Sequence, residues 1–197
     1  MDVAPELMPL VSVALGLGLA AAAGFRVFVP LLALGLAGRA GWVPLAPGFE
    51  WLATPPALTA LGTATLVEAL AYHVPYLDHL LDLIATPSAI VAGTLASAAV
   101  LTDLPPMVRW AVAVLAGGGA AGLVQTATVL ARVGSTTVTG GLGNVLFATF
   151  ELFGAVGTVV LAIALPVVAL GLVLLLLVAA AVVVVRVARR RAAQRAV

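Results

Sequence analysis

Three charged side chains stand inside runs of otherwise apolar residues: Arg26, Glu68 and Glu151. A carboxylate in a lipid-embedded helix is costly if it faces the hydrocarbon, so such a residue faces the interior of a helix bundle. There, Glu68 and Glu151 suit the binding of a proton or a cation. The plainer alternative is a structural ion pair, or a position close to the membrane interface. Arg26 carries a cost of about 2.5–3.5 kcal/mol at the centre of a spanning helix. Three readings are open for it: pairing with Glu68 or Glu151, snorkelling toward nearby carbonyls, or holding an anionic group such as a phosphate or carboxylate headgroup. With Gln125, these residues form a candidate intramembrane polar site.

A second group is His73, Asp78, His79 and Asp82. On a helix Asp78 and Asp82 stack at i,i+4, and His79 meets Asp82 at i,i+3. Oxygen and imidazole donors together suit a divalent metal or proton transfer. The spacing is loose, and a solvated face of an interfacial helix explains it as well. Thr139, Gly143 and Asn144 belong to a polar, glycine-rich stretch ahead of a helix start, where backbone N–H groups bind anions; the spacing is not that of a phosphate loop. No Ser-His-Asp pattern is present, and without cysteine there is no thiolate nucleophile, disulfide or thiolate metal site. These features give no catalytic residues and imply no cofactor.

The elements that position these residues follow from composition. Of 197 residues 63% are hydrophobic and 9% charged, whereas a soluble domain carries roughly 25% charged residues. The apolar surplus must face lipid, and the length fits one integral membrane domain, residues 1–197. The N-terminus, Met-Asp-Val-Ala-Pro-Glu, is acidic where a signal peptide is basic, so the first apolar run reads as a retained span. That span is expected over 9–36. A second starts at Thr54-Pro55-Pro56, with Thr54 as cap, and runs to Tyr72. Residues 73–85 read as an amphipathic bend. Thr86-Pro87 starts a third span to Leu101, and Asp103-Leu-Pro-Pro a fourth over 108–131. A loop is expected over 134–143, then helices over 145–161, with Asn144 as cap, and 166–185. The fold expected is an all-α polytopic bundle of about six transmembrane segments, with five as the alternative.

Trp42, Trp51, Trp110, Tyr72 and Tyr76 fall at expected span ends, as an interfacial aromatic belt requires. All nine basic residues are arginine, and five lie in the tail 186–197, which places the C-terminus in the cytoplasm. Six spans would put the N-terminus there too. Lysine-free, Ala- and Val-rich composition suggests a GC-rich bacterial genome, hence a bacterial inner membrane. No basic, aromatic-interleaved patch suits nucleic acid.

Ala22-Ala23-Gly24 and Ala120-Ala121-Gly122 both follow small-residue runs. Each precedes a helix bearing one buried-type glutamate, in Ala64-Thr-Leu-Val-Glu68 and Ala148-Thr-Phe-Glu151. Halves 9–103 and 104–186 of three segments each would form an inverted 3+3 repeat, a recurring transporter design. Chance similarity in an Ala- and Gly-rich chain is the alternative.

Gly24-Phe-Arg26-Val-Phe-Val-Pro30, Leu81-Asp82-Leu-Ile-Ala-Thr86-Pro87, Gly117-Gly-Gly-Ala-Ala-Gly122-Leu-Val-Gln125 and Thr139-Gly-Gly-Leu-Gly-Asn144 resemble the bacterial membrane proteins grouped as domain of unknown function 4126. The resemblance spans nearly the whole chain. Members often carry Pro after the Asn, where this chain has Val145. It implies an integral membrane protein and brings no activity. The leading expectation is a small transporter or channel-like protein for an ion or small solute. A lipid- or isoprenoid-carrier-binding protein, or an accessory subunit of a membrane complex, is the alternative; an enzyme is not expected. The partners expected are the bilayer and an ion, small-molecule or lipid ligand.

Overall fold

The first apolar run does not make one helix. In the computed structural model, which describes residues 7–73 and 77–195 and the side chains of 7–73 and 83–190, the run divides into α1 (Met8–Ala23) and α2 (Phe28–Arg39). The break falls at Gly24-Phe25-Arg26. Gly24 is the residue that follows α1, and nothing larger fits there: a Cβ would lie 2.6 Å from the Ala121 carbonyl oxygen and from Val124 Cβ. The expected continuous span over 9–36 is therefore corrected.

The other helices are α3 (Pro55–Ala71), α4 (Leu77–Val100), α5 (Pro106–Thr139), α6 (Asn144–Ala164) and α7 (Pro166–Arg195), with a short 3-10 turn at Glu50–Ala53. Helices α4 to α7 each contain a stretch long and apolar enough to cross a membrane; α1 and α2 are shorter apolar helices. The fold is all-α and of the multi-pass membrane type.

Small residues set the packing. Ser97 Oγ of α4 donates to the Gly16 carbonyl of α1 at 2.9 Å. Gly93 sits against Ala121 and Ala20, and Gly18 against Ala162. Such residues let helix backbones approach closely where lipid offers no hydrophobic drive. These contacts also fix direction. Positions 16 and 20 of α1 meet 97 and 93 of α4, which in turn meet 117 and 121 of α5. Thus α1 and α5 both run antiparallel to α4. The loop after α2 returns to the far end of α4, where Ala46 N–H donates to Ala99 at 2.7 Å. Val27 and Phe28, in contrast, line a cavity with Pro87 and Ser88, midway along α4. So α1 and α2 form a hairpin that enters the bundle, turns at 24–27 and leaves on the same side.

This hairpin changes the topology expected from sequence. The half before α5 holds four helical segments, so the two Ala-Ala-Gly motifs run parallel and pack together instead of being inverted. A six-span inverted repeat is not observed. The outer ends of α1 and α7 point to opposite faces, because α7 descends beside α1: Val173 packs with Ala21, and Val183 lies beyond Phe25. The expectation that both termini share one side is corrected.

Three boundaries also differ. Thr86-Pro87 starts no helix; α4 runs through Pro87, which is exposed there. Residues 134–139 are helical, and α5 ends where Gly140 takes the left-handed conformation, φ 64°. The π-helical segment Ala113–Gly118 lies within α5, where Gly117 meets Ser97. Thr54 precedes α3 in an extended conformation, but its hydroxyl donates to the Trp51 carbonyl at 2.7 Å and does not cap the helix.

Candidate functional site

The hairpin tip carries Arg26 into the interior, 1% exposed. Nη2 donates to the Ala148 carbonyl of α6 at 2.7 Å and stands 3.5 Å from Glu151 Oε2. Glu151 lies one turn further along α6, and the same carboxylate receives a second guanidinium: Arg132 Nε is 3.4 Å from Oε1. Arg132 is on α5 and also 1% exposed. Tyr72, at the end of α3, completes the group. Its ring centroid is 4.1 Å from Cζ of Arg26 and 4.6 Å from Cζ of Arg132, distances at which a cation is drawn to an aromatic face. Four elements therefore meet here: the hairpin tip, α3, α5 and α6.

Glu68 holds the tip from the other side. Oε1 accepts the N–H of Val27 at 2.8 Å and Oε2 that of Phe28 at 3.1 Å. These N–H groups belong to the start of α2, where no intrahelical acceptor exists and the helix dipole favours negative charge. Glu68 is thus a capping group supplied by a neighbouring helix. It is buried on α3, with one side toward an open-sided apolar cavity of about 590 Å³ between α2, α3 and α4. Tyr72, Val67 and Ile84 share that cavity. Glu151 similarly lines a cavity of about 280 Å³ between α5, α6 and α7, with Phe25, Thr128 and Leu176. The charge cluster lies between two apolar cavities, each ending on one glutamate.

Gln125 is 1% exposed and occupies the face of α5 that Arg132 occupies two turns later. Its Nε2, and Nε and Nη1 of Arg26, are buried without an acceptor among the described residues. A buried N–H group left unpaired costs about 1–3 kcal/mol.

The structure thus brings Arg26 and Glu151 into direct contact and sets Glu68 on the backbone of the same tip. Of the three open readings for Arg26, pairing is realised with Glu151, and a carbonyl contact accompanies it. His73 stands apart: it is exposed, with Nδ1 donating to the Ala69 carbonyl at 2.7 Å and Nε2 3.4 Å from Thr149 Oγ1. The side chains of Asp78, His79 and Asp82, the rest of the suggested metal group, lie outside the described ones, and Tyr76 lies outside the described residues. Among the described residues no three acidic or histidine side chains gather as a metal site. Thr139 Oγ1 accepts the N–H of Gly143 at 3.0 Å, and Gly143, not Asn144, occupies the cap position of α6. Asn144 is buried and donates through Nδ2 to Thr136 Oγ1 at 2.9 Å, so this stretch is a closed turn joining α5 to α6.

Arg132 and Tyr72 escape the sequence reading. Arg132 looks like the polar end of a span, and Tyr72 like an interfacial ring; Tyr72 is in fact 5% exposed. The spacing of Ala121, Gln125 and Arg132 along one helix face is the signal that would have placed Arg132 inside.

Long apolar helices, small-residue seams and a buried charge cluster define a helical integral membrane protein. The chain belongs to the family described as domain of unknown function, DUF4126, whose model matches residues 13–186. No curated protein and no solved structure matches it.

Proposed function

We propose that this protein is a small transporter that binds an ion or small solute at the cluster of Arg26, Arg132, Glu151 and Tyr72, within a bacterial inner membrane. The carrying observation is the helix broken at 24–27, whose tip holds a fully buried arginine against a glutamate from α6. Interrupted helices that deliver charged groups and free helix ends to the bundle interior are the usual construction of transporter sites. Buried ionisable residues inside membrane helices mark ion and substrate pathways. The two glutamates, each at the inner end of a cavity, suit exchange of a proton or a cation with the bound species.

The test is flux into proteoliposomes holding the full chain, over a panel of small ions and solutes. Saturable flux that drops at least about tenfold in Arg26→Gln supports the reading. Absence of flux for the whole panel, or flux unchanged in Arg26→Gln and Glu68→Gln, removes it.

A second reading, binding of a lipid or isoprenoid carrier, is favoured by one specific feature: the cavity of about 590 Å³ opens sideways between α3 and α4 and is lined mainly by apolar side chains, with Glu68 and Tyr72 at its inner wall. Native mass spectrometry decides this one. A lipid retained by the wild type and lost from Val67→Trp, which fills the cavity mouth, supports it; no retained lipid removes it.

A further inference from the structure

We infer that the outer face of α7 holds an anionic phospholipid, with an acyl chain along Gly171, Leu175, Val178 and Val182 and the phosphate on Arg186, Arg189 and Arg190. This site is separate from the buried charge cluster and does not depend on either reading proposed above.

The helix itself supplies the depth. α7 runs unbroken from Pro166 to Arg195. Residues 166–185 carry no charge, and as helix they rise about 30 Å, the thickness of a bilayer core. Arg186 therefore stands where hydrocarbon gives way to headgroups. Arg189 and Arg190 follow about 4.5 and 6 Å further along the axis, and the headgroup layer is about 5–7 Å deep on each side. All three guanidinium groups thus reach a single layer.

Register supplies the direction. Position 186 continues the series 171, 175, 178 and 182 in steps of three or four, the spacing of one helix face. That face looks away from the bundle: Leu175 is 70% and Val178 63% exposed, and a Cβ on Gly171 would meet nothing within 4 Å. Ala169, Val173 and Ala180, on the opposite face, are buried. Arg189 and Arg190 extend the outer series and are exposed, as is Arg186. The arginines stand directly beyond the strip of helix that lipid tails cover.

Charge supplies the ligand. No Asp or Glu occurs after Glu151, and among the described residues no carboxylate pairs with these three arginines. The planar fork of arginine matches phosphate oxygens in pairs. Phosphatidylcholine offers a phosphate too but brings a choline cation with it, so net charge selects an anionic lipid. A soluble acidic partner would meet the arginines alone, whereas a phospholipid fits the apolar strip and the charges together.

The test places the full chain in nanodiscs of mixed phosphatidylglycerol and phosphatidylcholine at physiological salt. Native mass spectrometry then weighs the lipids that stay on the protein when it leaves the disc. The wild type is expected to retain phosphatidylglycerol in preference. A basic residue at the membrane surface is worth about fivefold in affinity for anionic lipid, so Arg186→Gln/Arg190→Gln is expected to lower the preference by more than about tenfold. Arg191→Gln/Arg195→Gln removes the same charge from the other side of the helix, since positions 191 and 195 continue the series of Ala169, Val173 and Ala180. These positions lie about 9 and 15 Å past residue 185, at or beyond the screening length of about 8 Å, and the preference is expected to change less than about threefold. Glutamine is a good helix former, and unchanged far-UV circular dichroism checks that both pairs fold. No preference in the wild type, or equal losses from the two pairs, overturns the inference; equal losses reduce the tail to its net charge. A preference that Val67→Trp abolishes and Arg186→Gln/Arg190→Gln spares places the lipid in the cavity between α3 and α4 and overturns this site in favour of that one.

Discussion

Glu68 Oε1 accepts the backbone N–H of Val27 at 2.8 Å across 41 residues of sequence, and with this bond α3 fixes the tip of the hairpin that carries Arg26. The free helix end of α2 and the buried carboxylate of α3 satisfy each other. Neither group could stay buried alone at low cost. The position of Arg26 in the bundle depends on this contact as much as on its own ion pair.

The first prediction concerns that contact. A glutamine at position 68 keeps one oxygen where the carboxylate offers two, so either Val27 or Phe28 loses its acceptor. Glu68→Gln is expected to lower stability by about 1–3 kcal/mol, and Glu68→Leu by more, since it strands both N–H groups. Thermal unfolding of the purified protein in detergent reads the order. Equal midpoints for wild type and Glu68→Leu would show that the tip is not held this way.

A second prediction orders the ion cluster. Glu151→Leu removes the carboxylate that two buried guanidinium groups share and is expected to cost about 3–5 kcal/mol, the usual penalty for breaking a buried pair. Arg132→Leu leaves the Arg26–Glu151 contact in place and is expected to cost less. Because one carboxylate serves both arginines, the double variant Arg132→Leu/Glu151→Leu should be less destabilised than the sum of its parts. Additive losses in a double-mutant cycle would rule the coupling out.

Backbone approach at the helix break gives a third. A methyl group at Gly24 would stand 2.6 Å from the Ala121 carbonyl oxygen, so Gly24→Ala must push α1 and α5 apart. Overpacking of this kind costs about 1–3 kcal/mol. Gly62, in α3, has nothing within 4 Å of the same hypothetical atom. Gly62→Ala is expected to be neutral or to gain up to about 1 kcal/mol from helix propensity. A comparable loss in both variants would mean that glycine matters here for flexibility and not for packing.

Much of this structure was legible in the sequence, and the exceptions share a cause. The helices beginning at Pro55, Pro106 and Pro166 follow from local chemistry, a proline in the first turn ahead of an apolar run. The break at Gly24 does not: the run from 9 to 36 stays apolar apart from Arg26, and what accompanies the break is tertiary, the acceptance of the Val27 and Phe28 N–H groups by Glu68. Pro87 misleads for the opposite reason, since α4 continues through it on an exposed face. Arg26, Glu68 and Glu151 stand out as charges in apolar surroundings, and that contrast picks out residues that the fold buries around the hairpin tip. Arg132 is hidden because it follows a complete apolar run and so looks like its end. Only the extension of α5 to Thr139 brings it inside.

Topology offers the last prediction. Trp42, Trp51 and Trp110 are all well exposed and all lie at one end of the bundle: Phe49 and Trp110 rings stand 6.0 Å apart, and the loop holding Trp42 bonds to Ala99 at the end of α4. The loop after α5 and the arginine-rich end of α7 lie at the other end, because α5 crosses the whole bundle and α6 and α7 make one return trip. Positive residues stay on the cytoplasmic side. The tryptophan end is therefore expected to face outward and the 140–143 turn inward. The chain has no cysteine, so single cysteines report position cleanly. Pro47→Cys is expected to react with a membrane-impermeant maleimide in intact cells, and Leu142→Cys only after permeabilisation. The reverse pattern would invert the assignment. Labelling of both from outside would place the two loops on one face, which the length of α5 does not allow, and would break the hairpin topology from which the site is built.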